Sequence, residues 1–248
     1  MPSRFHDERP DSDSLLSGLE RRFASQAVHL VPAWLESQHL TLLTAIWSVL
    51  ILLCSALVRA DSRWLVAVSA VIVLQYLTDA IDGKVGVMRG AGLLRWGYYM
   101  DHFLDYVFLC AILIGYGLML PERSQHLMTW TLAIAGGFMV HAFLEYGATG
   151  QLSLSYLRLG PVEVRLVFIG LNMTLLTFGR ASMVAAVPSV LLIAASILVG
   201  LVCRTQRRLW RLDHATQRRS AVATDQLPLA PTSAAIVTRD LEPSNVLR

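Results

Sequence analysis

Residues 64–82 read Trp-Leu-Val-Ala-Val-Ser-Ala-Val-Ile-Val-Leu-Gln-Tyr-Leu-Thr-Asp-Ala-Ile-Asp. No charge interrupts the run before Asp79, and its length matches the roughly 20 helical residues that cross a hydrocarbon core of about 30 Å. Five more runs of this kind lie at 39–59, 97–119, 127–149, 162–179 and 184–203, the one at 162–179 being the least hydrophobic. The expected fold is therefore all-α: a polytopic membrane protein with six transmembrane helices. Composition agrees. With 54% hydrophobic and only 16% charged residues in 248, the chain lacks the charge that a soluble surface of its size carries.

The basic residues orient the spans. For an N-terminus in the cytoplasm, 17 of the 21 lysines and arginines fall inside and only Arg59, Arg63, Arg123 and Arg180 fall outside. This asymmetry fixes an even number of spans and predicts both termini in the cytoplasm. The net charge of +3 is small and sits mostly in the C-terminal tail, which argues against nucleic acid as a partner. Cys54, Cys110 and Cys203 all lie in apolar runs, an odd set with no disulfide framework and no zinc spacing.

Ahead of the first span, Leu15, Leu16, Leu19, Phe23, Ala27, Leu30, Val31 and Trp34 recur at helical steps. They predict an amphipathic helix within 15–37, lying in the membrane interface and ending at Pro32, after a disordered 1–14. No short cleavable signal is expected, because acids accompany the bases before the first span. The membrane domain is expected over 38–203. A basic juxtamembrane segment (204–219) suited to anionic headgroups follows it, then a disordered tail (220–248) rich in Ala, Pro, Thr and Ser.

Ionisable residues inside spans are costly and mark function. Asp79 and Asp82 stand three apart at the end of the second span, and Asp101 and Asp105 four apart near the start of the third. In the proposed topology all four carboxylates reach the same depth at the cytoplasmic edge, on helices joined by a loop expected over 83–96. Ionised carboxylates crowded together repel, and a divalent cation relieves this. Oxygen-only ligands point to a hard ion, Mg²⁺, Mn²⁺ or Ca²⁺, and a pair of such ions serves displacement at phosphorus. The bland alternative is that the aspartates pair with Lys84, Arg89 and Arg95 or cap helix ends. Gly83, Gly86 and Gly97 beside the aspartates fit a ligand packed against the main chain, whereas Gly90 and Gly92 read as plain loop.

The stretch Asp79-Ala-Ile-Asp82-Gly83, followed by Gly97-Tyr-Tyr-Met-Asp101-His-Phe-Leu-Asp105, resembles the signature of the CDP-alcohol phosphatidyltransferases, integral membrane enzymes of phospholipid synthesis. That signature reads Asp-x-x-Asp-Gly-x-x-Ala-Arg, a short connection, then Gly-x-x-x-Asp-x-x-x-Asp. The chain differs in having Gly86-Val87 where the family has Ala-Arg, and its connection to Gly97 is one residue longer. Arg89 is the candidate substitute for the missing arginine, or else simply a cytoplasmic-side charge. The resemblance implies two divalent ions, Mg²⁺ or Mn²⁺, held by Asp79, Asp82, Asp101 and Asp105, with Asp105 also the general base. It implies a nucleotide subsite at Gly83, Gly86, Arg89 and Gly97, and a homodimer. Its reaction moves a phospho-alcohol or phosphatidyl group from a CDP-alcohol donor to a hydroxyl acceptor, at least one of them a lipid, and releases CMP.

His141, Glu145, Glu163 and Arg165 also fall toward the cytoplasmic half. With His102 they frame an acceptor pocket, or Glu145, Glu163 and Arg165 form an ion pair holding spans four and five together. Asn172 reads as a hydrogen-bonding residue between helices. A divalent metal transporter or metal-binding protein is the rival class, but it needs polar residues at the midplane and a route to both faces, and the outer halves of the spans carry almost nothing ionisable. An inactive relative of the transferases is the third reading.

Overall fold

The computed structural model describes residues 25–90, 94–150 and 161–225, and all regular structure among them is helical. Six long helices follow one another: α1 (Ser37–Leu57), α2 (Trp64–Arg89), α3 (Leu94–Met119), α4 (Gln125–Thr149), α5 (Pro161–Phe178) and α6 (Arg180–Asp225). Five of them, α1 to α4 and α6, are long and apolar enough to cross a membrane; α5, with Glu163 and Arg165 in its first turns, is not among these. The chain divides into two compact units, residues 1–202 and 203–248, and α6 runs through the division.

The first unit is apolar outside and buries small polar side chains among its apolar contacts. On α1, the buried residues include Thr41, Thr44, Ser48 and Ser55, while Leu42, Ile46, Val49, Leu53 and Leu57 face outward. In water this would be inside out. In lipid it is the expected arrangement, because hydrocarbon gives apolar side chains no reason to hide and small polar ones let helices approach. Gly115 on α3 shows how near they come: a Cβ there would sit 2.5 Å from Ser55 Oγ. Ile51, Val68, Ile72, Phe108, Ile112, Tyr116, Leu175 and Met183 form the apolar core between the helices.

Helix ends follow local chemistry. Glu36 and His39 form a reciprocal capping box at the start of α1, and Gly90, Gly150 and Gly179 end α2, α4 and α5 at positive φ, where a side chain would be strained. At the end of the bundle away from the aspartates, Arg59 donates to the Leu120 carbonyl (2.9 Å) and Arg180 to the Val58 carbonyl (2.8 Å). Two of the four exceptions to the charge bias thus satisfy carbonyls that a finished helix leaves unpaired.

Two expectations need correction and a third is described only in part. The loop between the second and third spans is far shorter than 83–96, because α2 stays helical to Arg89 and α3 resumes at Leu94. Gly83 and Gly86 are therefore helical residues: nothing breaks the helix before Gly90, and Val85 anchors the extension in a small core with Val28 and Leu40. Of the interfacial helix expected to end at Pro32, only the last residues are described. Ser25–Ala27 are helical, Val28–Leu30 form one 3-10 turn, and Val31 is extended before Pro32, which has no N–H to continue a helix. The rest of that predicted helix, 15–24, and the segment 1–14 lie outside the described residues. Finally, α6 continues through the basic segment and past Ser220 to Asp225, since no glycine or proline follows Gly200 before that point; residues 226–248 lie outside the description.

Candidate functional site

Helices α2 and α3 run antiparallel, so the end of one meets the start of the other. Gln75 and Asp79 are one turn apart on α2, and α5 packs against that helix with Arg165 about one turn into its length. The Arg165 guanidinium is the hub. Its Nε donates to Gln75 Oε1 (2.8 Å), its Nη2 donates to Asp79 Oδ2 (2.8 Å) and lies 3.6 Å from Asp105 Oδ1, and its plane lies over the Tyr76 ring at 5.6 Å from the centroid. The side chain is only 10% exposed, against 27% for Asp79 and 39% for Asp105, so the charge is held inside while the carboxylates open outward. Buried arginine requires such pairing, since an isolated charge in this environment would be severely destabilising.

Asp82 faces elsewhere. Its two oxygens accept from the Ser37 and Thr41 hydroxyls on the first turns of α1, and only 4% of the residue is exposed. Asp101 is half-buried, one turn before Asp105 on α3. The structure thus joins Asp79 and Asp105 through one cationic atom and gives Asp82 separate hydroxyl partners. Among the described residues, no three histidine, cysteine, aspartate or glutamate side chains are gathered closely enough to form a metal-holding group.

Of the proposed nucleotide residues, Gly86 lies against α1: a Cβ would come 3.2 Å from Ser37 Oγ. Gly83 is half-buried within α2, and Gly97 has open space where a side chain would stand. Arg89 donates to the carbonyls of Val31, Pro32 and Leu35, closing the extended segment that precedes α1. Its guanidinium is thus engaged by the main chain of that segment.

The acceptor-side residues separate into two groups. Arg165 ties α5 to α2 and α3, in place of the expected pairing between spans four and five. Glu145 is buried, with its carboxylate 3.9 Å from His141 Nε2. Both carboxylate oxygens of Glu163 are buried without a hydrogen-bond partner among the described residues. His102 is held at the α3–α4 contact: Nδ1 lies 2.7 Å from the Tyr98 carbonyl and the ring packs on Tyr98 and Phe143. Deeper in the bundle, Asn172 accepts from Tyr116 Oη (2.8 Å) and donates to Ser69 Oγ (3.0 Å), joining α5 to α3 and α2 as expected for an interhelical residue.

Sequence reasoning missed Gln75, Ser37 and Thr41. Gln75 had a signal, a lone amide in an apolar run four residues before Asp79. Ser37 and Thr41 had none, because their role depends on where α1 crosses α2.

No family model matches the chain, and no solved structure matches it. Among curated proteins it is similar to "Inner membrane protein YnjF" of Escherichia coli (strain K12), with 31% identity over 86 residues. The match covers 35% of this chain and 37% of that protein, so the chain aligns with little more than a third of its relative's length. Together with five helices able to cross a membrane, this similarity identifies a multi-pass integral membrane protein.

Proposed function

We propose that the chain is a membrane phosphotransferase of phospholipid biosynthesis, moving a phospho-alcohol or phosphatidyl group from a CDP-alcohol to an acceptor hydroxyl with release of CMP. The observation that carries the reading is the convergence of Asp79 and Asp105, from two antiparallel helices, on a single positive charge at 2.8 and 3.6 Å. The motif that resembles the transferases needs these two carboxylates to work on one ligand, and the fold lets them.

A divalent metal suits this donor set. The four aspartates offer carboxylate oxygens, which favour Mg²⁺ or Mn²⁺; Asp79 and Asp105 lie within reach of one cation, the Arg165 guanidinium, and no third carboxylate is gathered with them among the described residues. Asp82 and Asp101, one turn away on the same helices, would complete the ligands, Asp82 by giving up hydroxyl partners on α1. When bound, such ions neutralise the diphosphate and make its phosphorus more electrophilic.

The chain's own residues supply the rest. Asp105 accepts the proton of the acceptor hydroxyl while its oxygen bonds to the β-phosphorus and the bond from that phosphorus to the CMP oxygen breaks. Gln75 holds Arg165 in register with Asp79, and Ser37 and Thr41 orient Asp82. Gly97 has room beside it and Gly83 follows Asp82 directly, so both remain nucleotide-side positions; with Arg89 engaged by three carbonyls, the donor phosphates depend on other groups. His102, Glu145, Glu163 and Arg165 belong to the acceptor side. In this reading α5 is a sixth span, both termini are cytoplasmic, the site opens at the cytoplasmic face, and the protein is a homodimer.

The test is CMP release by purified protein in detergent, with a panel of CDP-alcohols and acceptors, in Mg²⁺, Mn²⁺ or EDTA. Metal-dependent release lost in Asp105→Asn is expected. Absence of release from every pair would sink the transferase reading in favour of an inactive relative, with Val87 the first suspect, or of metal transport, which flux into proteoliposomes would reveal.

A further inference from the structure

Arg165 stands where charge is balanced between the carboxylates of two helices, and it is anchored there independently of them. Its Nε is held by Gln75, a residue with no exposure at all, and its Cζ lies 5.6 Å from the centre of the Tyr76 ring, so the guanidinium has partners on α2 besides the carboxylates it would release to an ion. Four aspartates alone carry four negative charges. Two divalent ions cancel these completely, and Arg165 then becomes a surplus positive charge in a low dielectric, next to the ions.

Resting on the metal-dependent reading above, we infer that Arg165 is a built-in competitor for the metal, a tethered counter-ion that neutralises Asp79 and Asp105 when no ion is bound and must yield when one binds. The assignment gives the buried arginine a positioning role in the metal-free protein and predicts opposite effects of its removal on metal affinity and on metal-free stability. An ion pair with no metal site beside it would lower stability in EDTA with no gain in metal affinity and no rescue by Mn²⁺. An arginine that only binds substrate would change neither metal affinity nor metal-free stability.

The experiment is Mn²⁺ titration by electron paramagnetic resonance, paired with thermal unfolding in EDTA, on wild type, Arg165→Gln, Arg165→Lys and Gln75→Met in the same detergent. Arg165→Gln is expected to bind Mn²⁺ at least about tenfold more tightly, because a full positive charge has left the ion's side. In EDTA it should melt below wild type, and saturating Mn²⁺ should restore the loss. Arg165→Lys keeps the charge and should keep Mn²⁺ affinity near that of wild type. Gln75→Met, which frees Nε without removing the charge, should tighten Mn²⁺ by a smaller factor and gives the same reading if Arg165→Gln does not fold. Wild type that binds Mn²⁺ while Arg165→Gln, or Gln75→Met in its place, binds it no better overturns the inference and leaves the metal reading intact. Failure of every variant and of wild type to bind Mn²⁺ overturns both.

Discussion

Replacing Asn172 with alanine tests whether α5 sits at the depth described. The change removes two hydrogen bonds, from Tyr116 Oη at 2.8 Å and to Ser69 Oγ at 3.0 Å. Neither partner is stranded: Tyr116 Oη still has the Phe168 carbonyl at 3.3 Å, and Ser69 Oγ already donates to the Leu65 carbonyl at 3.0 Å. Side-chain hydrogen bonds between membrane helices average about 0.6 kcal/mol, so the two together contribute about 1 kcal/mol. A small cavity adds to the cost of Asn172→Ala alone, and a double-mutant cycle with Tyr116→Phe removes that contribution. Reversible unfolding in mixed detergent and SDS micelles should give a coupling of about 0.6 kcal/mol between the two positions, and no more than about 1.7 kcal/mol. Additive effects, with no coupling, would mean that α5 does not meet α3 at Tyr116, and the placement of Arg165 beside Asp79 would fall with it.

Three other outcomes follow from the same geometry. Asp105→Asn should lower metal-dependent CMP release by a factor of about 10² to 10⁴, the usual contribution of a general base, with the protein still folded by its melting curve. Gly115→Ala forces a methyl to 2.5 Å from Ser55 Oγ and should destabilise the bundle by about 1–3 kcal/mol in the same micellar unfolding assay; adding Ser55→Gly should recover part of the loss. Ser37→Ala with Thr41→Ala strips Asp82 of the hydroxyl partners that fix it, and should raise the Mn²⁺ concentration needed for half-maximal release severalfold, an effect read by metal titration of activity.

Much of the fold is legible in the sequence because hydrophobic length is a strong signal. The helices at 37–57, 64–89, 94–119, 125–149, 161–178 and from 180 onward each cover all or nearly all of an expected apolar run. What the runs cannot reveal is where helices stop beyond the membrane: Lys84 to Arg89 looks like loop by polarity and glycine content, yet contact with Val28 and Leu40 keeps it helical. The site divides in the same way. Asp79 and Asp105 could be read from spacing, since both lie at the joined ends of consecutive helices. The partners of Arg165 could not, because Glu145 and Glu163 are nearer in sequence than Asp79 and Asp105, and only the packing of α5 on α2 decides between them. Arg89 shows the opposite failure: its place in a motif pointed to phosphate, while the carbonyls it meets belong to a segment with no motif.

Gly179 alone separates the last residue of α5 from the first of α6. One residue spans at most about 3.6 Å, so the two helices cannot slide past each other along the bilayer normal by more than a fraction of a turn. The span with the highest mean hydropathy, 2.5 in α6, therefore acts as a float for a neighbour whose own composition does not fix its depth. With α6 in a bilayer, thickness would bear on the level at which α6 rides, and through that short tether it would strain or relax the contacts that hold Arg165 to Gln75 and Asp79.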